Sequence, residues 1–239
     1  MPVYCITGAN RGLGLEFVRQ LAKLQDNTII ATTRSKSSDL SDLKAVSSPN
    51  THILECDTAD LNSIQAFATE TKKTLEGKKI DFLLNNAGVN SVPTQNSLSI
   101  GPEDLQREIS INVLGPAKTV EFLLGEDLLA QNVRIMNMTS GLGSMSVSLS
   151  INPRKCANYS ISKAGLNMLT VHQSGDLKSK LSDVVVICMD PGWVKTRMGG
   201  EGAVLEPEVS IGGMLKVVHE LQESDTGKFY TYTGEEVKW

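Results

Sequence analysis

The sequence predicts an α/β fold: one doubly wound parallel sheet of about seven strands, flanked by helices on both faces. Three observations predict it. Apolar, β-forming segments alternate with helix-patterned ones along all 239 residues. No repeat, low-complexity linker or block of charge interrupts the alternation, so residues 1–239 read as a single domain. The first apolar segment also runs directly into a glycine turn, Thr7-Gly8-Ala9-Asn10-Arg11-Gly12-Leu13-Gly14, with a helical pattern after it.

The elements follow in order. Val3–Ile6 is the first strand, and Phe17, Val18 and Leu21 recur at helical spacing beyond the turn. Residues 27–33 form a second strand, 38–43 the start of a short helix, and Thr51–Glu55 a third strand. Residues 60–76 carry Leu61, Ile64, Phe67, Ala68 and Leu75 near one helical face, with Gly77 as a stop. The fourth strand, 80–84, ends in Asn85-Asn86-Ala87-Gly88. One long helix is expected over 102–129, a fifth strand over 132–138, a second long helix over 156–177 and a sixth strand over 184–188. Asp190-Pro191-Gly192 closes that strand. Residues 141–155, rich in Ser, and 195–207, rich in Gly, lack periodicity and follow strands. Ligands of open α/β sheets lie beyond the carboxyl ends of the strands, so these two stretches are the expected substrate loops.

Composition removes several function classes. The net charge is −4, and no basic run exceeds Lys78-Lys79, which argues against nucleic acid or an anionic membrane surface as partner. No apolar run reaches the ~20 residues of a membrane span. With a strand beginning at Val3, no signal or transit peptide is expected. Cys5, Cys56, Cys156 and Cys188 are widely spaced and fit a reducing, cytoplasmic compartment. His52, His172 and His219 lie outside ligand spacing of any cysteine or acid, so no metal site is expected.

Strand, glycine turn and helix together aim backbone N–H groups and a helix N-terminus at a phosphate. An ordinary strand–helix turn could carry the same glycines. Tyr159-Ser160-Ile161-Ser162-Lys163 is the second chemical motif. A spacing of four puts phenol and ammonium on one helix face. A phenol titrates near pH 10, and a nearby ammonium lowers that value toward the range useful for proton transfer.

Six motifs in order carry a resemblance. They are Thr7-Gly8-x-x-x-Gly12-x-Gly14, Asn85-Asn86-Ala87-Gly88, Ile111-Asn112-Val113, Thr139-Ser140, Tyr159-x-x-x-Lys163 and Pro191-Gly192-x-x-x-Thr196. Over essentially its whole length the chain resembles the short-chain dehydrogenase/reductase family, whose fold is of the Rossmann type. Within that family it is most similar to the sniffer-like and C-factor-like carbonyl reductases. The resemblance implies that Tyr159 exchanges a proton with the substrate oxygen while hydride passes between nicotinamide and carbonyl carbon. It implies that Ser140 polarises that oxygen, and that Lys163 binds the nicotinamide ribose and depresses the Tyr159 pKa. Asn112 would hold a relay water through its main-chain carbonyl. Pro116, four residues on, has no N–H to give that carbonyl, which supports the role. Ser140 lies further from Tyr159 than the family's serine does, so Ser144 stands as a rival polarising or pocket-lining residue. Trp193 either lines the substrate mouth or covers the sheet edge.

The same resemblance distributes the cofactor contacts. Gly8, Asn10, Arg11, Gly12, Leu13 and Gly14 would cradle the pyrophosphate, Asp57 would meet the adenine, and Asn86, Ala87 and Gly88 would line the nicotinamide side. Pro191, Gly192, Val194 and Thr196 would hold the carboxamide. The end of the second strand, Thr32-Thr33-Arg34-Ser35, lacks the carboxylate that an NAD-preferring site uses against a 2′-phosphate. Thr33 and Arg34, with Arg11 opposite, therefore select NADP(H). The expected function is NADPH-dependent reduction of a small apolar aldehyde or ketone, in a homodimer as in the family. Oxidation of a secondary alcohol or hydroxy-steroid is the alternative. A dinucleotide sensor without turnover is a third, disfavoured because both Tyr159 and Lys163 are present.

Overall fold

The computed structural model describes residues 1–35 and 37–239. Its seven strands are β1 (Val3–Ile6), β2 (Thr28–Thr33), β3 (Thr51–Glu55), β4 (Ile80–Asn85), β5 (Leu129–Met138), β6 (Val185–Asp190) and β7 (Phe229–Thr231). They lie in one sheet in the order β3-β2-β1-β4-β5-β6-β7, and every pairing is parallel. Parallel neighbours need crossovers, which the helices supply: α1 (Gly12–Leu21), α2 (Ser41–Val46), α3 (Leu61–Leu75), α4 (Pro102–Ile109), α5 (Gly115–Gly125), α6 (Met145–Leu149), α7 (Ala157–Asp176) and α8 (Pro207–Glu220). One core holds Phe17, Leu43, Ile211 and Met214 from α1, α2 and α8 against the sheet. The other holds Ile64, Phe67, Val120 and Leu123 from α3 and α5 on the opposite face. β1 lies between β2 and β4, so the chain winds away from it in both directions. That reversal opens the crevice where such sheets bind ligands.

The stretch 102–129 is not one helix. Its last residue, Leu129, opens β5, and the helix ends at Gly125 because Asp127 turns left-handed (φ 56°) and Leu128 donates back to the Leu123 carbonyl. Between α4 and α5 the backbone widens into a π turn, Ser110–Leu114, which contains Asn112 and directly precedes Gly115 and Pro116. Proline removes one helical donor, and the wider turn accommodates the mismatch. The Ser-rich loop is also partly regular. Gly141–Gly143 is a 3₁₀ turn and α6 follows it, each capped by a serine, where the absence of apolar periodicity predicts irregular chain.

Candidate active site

β1 delivers the glycine turn to the crevice, and the neighbouring strands fasten it. The Gly8 N–H donates to Thr32 Oγ1 at 3.1 Å and the Ala9 N–H to the Thr32 carbonyl at 2.7 Å. Asn86, just past β4, donates from Nδ2 to the carbonyls of Thr7 (2.8 Å) and Gly8 (3.1 Å), while the Ala87 N–H reaches Thr7 Oγ1 at 3.0 Å. Gly14 is obligatory, because a Cβ there would lie 2.2 Å from the Gly8 carbonyl oxygen and 2.7 Å from Asn86 Nδ2. Gly8 has φ +68° and would press its Cβ on Ala87. The turn therefore presents bare backbone at the start of α1, as a pyrophosphate cradle must. A Cβ on Gly12 would come within 4.0 Å of Thr196, so the segment from Pro191 to Thr196 closes over the cradle. Val194 is buried there and accepts the Thr196 N–H at 2.8 Å; Gly192 donates to Asp190 Oδ1 at 3.1 Å. Asn10 and Leu13 are half-buried in the turn.

At the adenosine side, Thr33 is buried at the end of β2, and Arg34 and Arg11 are exposed. Neither arginine forms an ion pair among the described residues. Asp57 accepts the Ala59 N–H at 3.0 Å and remains half-buried beyond β3. β2 thus ends without a carboxylate and is followed by an exposed arginine.

The other end of the crevice is built on α7. The face it buries against the sheet is largely polar: Asn158, Ser162, Lys163, Asn167, Thr170 and Gln173. Buried polar groups cost stability unless paired, and most of these are paired. Lys163 Nζ donates to the Met138 carbonyl at 2.7 Å, Thr139 Oγ1 bonds to Asn167 Oδ1 at 2.6 Å, and Asn137 Nδ2 donates to Thr170 and Gln173 at 2.9 and 3.0 Å. The helix is locked to β5 in one register, which carries Tyr159 with it. Its first turn is held from the other side, where Cys156 and Ala157 donate their N–H groups to the carbonyls of Pro93 and Gln95. Asn112 ties both parts together. Its side chain accepts from Val89 N–H and donates to the Val89 carbonyl and to Ser162 Oγ, each at 2.9 Å, and Ser162 donates on to the Tyr159 carbonyl at 2.8 Å. A Cβ on Gly88 would lie 3.3 Å from Asn112 Oδ1 and 3.5 Å from Lys163 Nζ. Gly88, Asn112 and Lys163 therefore share one place, and Lys163 Nζ lies 5.6 Å from the centre of the Tyr159 ring.

The electrostatics differ from the expectation that Lys163 holds the phenol down. Burial, followed by the charges of Asp190, Cys156 and Glu108, pushes the Tyr159 pKa upward, and only the Ser140 bond opposes the rise. Lys163 is 3% exposed, and burial pushes its own pKa down to about 8. Two groups taken out of water both move toward neutrality. The phenol thus stays protonated at neutral pH.

Ser144 does not line the pocket. It is fully buried, its hydroxyl donates to the Lys238 carbonyl, and it caps α6 by accepting the Val147 N–H at 3.0 Å. Ser140 lies two residues beyond β5 and caps the 3₁₀ turn by accepting the Leu142 N–H at 3.2 Å. Trp193 covers no sheet edge. Its Nε1 donates to the Gly199 carbonyl at 2.8 Å and its ring lies over Gly202, folding residues 195–207 while 57% of it stays exposed. Sequence reasoning missed Thr32, Asp190 and Glu108. Asp190 accepts the Gly192 N–H and sits against Gly141, whose Cβ would lie 3.2 Å from its Oδ2, and burial raises its pKa. No pattern marks these three, because each acts through a neighbour distant in sequence. No group of metal-binding side chains exists among the described residues.

A glycine cradle, a switch-point crevice and the convergence of Tyr159 with Lys163 define a nicotinamide-dependent oxidoreductase of Rossmann type. The family profile described as short chain dehydrogenase matches residues 2–203, and the chain belongs to that family. It is 31% identical to the NADPH-bound carbonyl reductase from chicken fatty liver, with a TM-score of 0.91 and all of both chains covered. Carbonyl reductase Sniffer of D. melanogaster matches at 27% identity and a TM-score of 0.90, also over both whole chains. The C-signal protein of Myxococcus xanthus is 34% identical over 160 residues, 67% of this chain and 93% of its own length.

Proposed function

We propose that the chain is an NADPH-dependent carbonyl reductase acting on small apolar aldehydes or ketones, with Tyr159 as proton donor. One observation carries this reading: Lys163 Nζ lies 5.6 Å from the centre of the Tyr159 ring at the crevice where Gly88 and Asn112 also meet, with Ser140 just beyond β5. A carbonyl oxygen placed there would be polarised by two hydroxyl donors. The bound dinucleotide would supply the hydride. The residues that would hold it fit: Gly8, Gly12 and Gly14 leave room for a pyrophosphate against backbone N–H groups, and Arg11 and Arg34 offer unpaired charge to a 2′-phosphate. Lys163 keeps its ammonium beside Gly88, within reach of a ribose hydroxyl. The raised phenol pKa leaves Tyr159 protonated at neutral pH, the state from which carbonyl reduction starts.

α6, Trp193 and the 195–207 loop expose Met145, Leu149, the indole, Met198 and Val204. An apolar substrate suits such a rim. Leu114, Ile161, Met168 and Val171 are exposed on the outer faces near α5 and α7, which supports a homodimer formed through those helices. Four free cysteines, three of them buried, are in keeping with a cytoplasmic location. No helix is long and apolar enough to cross a membrane among the described residues. NADPH consumption with a panel of aldehydes and ketones tests the proposal, with Tyr159→Phe as the blank. Turnover confined to the wild-type protein is expected; equal rates in the two would overturn the role of Tyr159.

A further inference from the structure

None of the five residues of α6 is buried, so no apolar face fixes where this helix lies. A helix of that length is not stable alone either. Its anchors are hydrogen bonds and one tight backbone contact. Ahead of it, the Gly141–Gly143 turn rests on α7: a Cβ on Gly143 would lie 2.9 Å from Lys163 Cβ, and Asn167 Nδ2 donates to the Gly143 carbonyl at 3.0 Å. Behind it, Arg154 Nε and Nη2 donate to the carbonyls of Ser148 and Leu149 at 2.9 and 3.1 Å. The remaining anchors come from Lys238 and Trp239. The Ser144 hydroxyl donates to the Lys238 carbonyl. The Ser146 N–H and hydroxyl both donate to the Trp239 main-chain oxygen, at 3.2 and 2.6 Å. Those two residues are positioned in turn by β7. Gly234 turns left-handed (φ 88°) and the chain runs back along the strand, with the Thr231 N–H on the Glu235 carbonyl at 2.8 Å and the Val237 N–H on the Phe229 carbonyl at 2.7 Å. The Trp239 ring then rests on buried Phe229, their centres 5.6 Å apart. The edge of the sheet is thereby tied to the helix that follows Ser140 along the chain and exposes Met145 and Leu149.

We propose that residues 235–239 form a strap that sets the position of α6, with Trp239 as the positioning residue that governs which carbonyl compounds fit beside Ser140. The inference rests on the carbonyl-reductase function proposed above. Trp239 acts through Ser144 and Ser146, and no step of the chemistry passes through it. Held by the strap, α6 is a fixed wall that favours compact substrates. Without the Trp239 ring on Phe229 the strap loses its anchor, and a helix with no buried residue of its own is free to shift. The pocket then grips small substrates less and admits bulkier ones.

Trp239→Ala and Trp239→Phe test the strap, the second keeping an aromatic face on Phe229. Hydrogen exchange followed by mass spectrometry gives a readout independent of activity. In Trp239→Ala the amides of residues 144–149 should exchange at least about 10-fold faster than in the wild type, with α7 protected as before. Unchanged exchange at 144–149 would overturn the strap, and so would an equal loss of protection in α7, which would mark the ring as a support of the whole fold. Kinetics then test selectivity. For a small aliphatic aldehyde, Trp239→Ala should raise KM roughly 5- to 20-fold with kcat within about threefold and NADPH affinity unchanged, whereas KM for a bulky aryl ketone should hold or fall. Ser146→Ala, which removes one hydroxyl donor, should shift selectivity the same way by a smaller factor. Trp239→Phe should stay within about twofold of the wild type on both substrates. Equal changes in kcat/KM for the two substrates, or none, would overturn the role in selectivity while leaving carbonyl reduction intact. Absence of NADPH-dependent turnover in the wild-type protein would instead overturn the function and the selectivity that rests on it, whatever the exchange result.

Discussion

Two segments leave the carboxyl edge of the sheet and face the same crevice, yet they are built on opposite principles. The Thr7–Gly14 turn after β1 owes its form to side chains that are missing, since glycines let backbone meet backbone and leave N–H groups bare. The segment after β5 owes its form to side chains that are present. Ser140 caps a 3₁₀ turn, Ser144 caps α6, and Asn167 donates to the Gly143 carbonyl at 3.0 Å. The first can bind only what backbone binds, a phosphate. The second places individual hydroxyls, and on the proposed function it would hold the reacting carbonyl. A single added methyl should therefore damage the first segment most, whereas loss of one oxygen should damage the second.

The largest effect is expected from Gly14→Ala. Its Cβ cannot coexist with the Gly8 carbonyl at 2.2 Å, so the turn must open. Dinucleotide affinity should fall by more than about 100-fold, with a stability loss of roughly 1–3 kcal/mol. Fluorescence titration and thermal melting read both, and unchanged affinity would refute the cradle. Lys163→Met separates burial from catalysis. Lys163 titrates at about 8 when folded against 10.5 for a free side chain, so the charged form burdens the native state below pH 8. As pH rises from about 8 to 10.5 the folded protein sheds that proton first, and stability recovers. The wild type should gain on the variant by up to about 3 kcal/mol across that window, measured by denaturant titration without cofactor.

Ser140→Ala should lower turnover by roughly 100-fold with little change in dinucleotide affinity, the cost of one donor to a developing oxyanion. Arg34→Ala should reduce the preference for NADPH over NADH by roughly 10- to 100-fold, the value of one charge-assisted bond. The ratio of kcat/KM for the two cofactors is the measure. The smallest effect is expected at Ser144. Ser144→Ala should cost about 1 kcal/mol through the α6 cap while leaving turnover far closer to wild type than Ser140→Ala does. Equal losses of turnover in the two serine variants would erase the distinction between them.

Much of this arrangement is legible in the sequence, and the reason is local. Glycine spacing, Tyr159 with Lys163, and the charges at the end of β2 are each contained within a few residues. What is not legible depends on partners far along the chain. The polar face of α7 carries no apolar period, because its hydrogen bonds to β5 replace hydrophobic burial. Position after the fifth strand favours Ser140 over Ser144 in the sequence, but only the Lys238 carbonyl, 94 residues away, shows that Ser144 is spent on structure. Glu108 reads as one acid among many on a charged helix until its burial is seen. The helix break before Leu129 likewise follows from a left-handed Asp127, which no periodicity announces.

The central claim is that Tyr159 gives the proton that lets hydride reach a carbonyl. Protein preloaded with NADPH is mixed with an aldehyde or ketone that the wild type turns over, and loss of NADPH absorbance is followed in a single turnover. Wild-type protein should consume its NADPH, while Tyr159→Phe should bind NADPH equally well and react slower by about 100- to 10,000-fold. Equal single-turnover rates in the two proteins, at equal NADPH occupancy, would contradict the assignment.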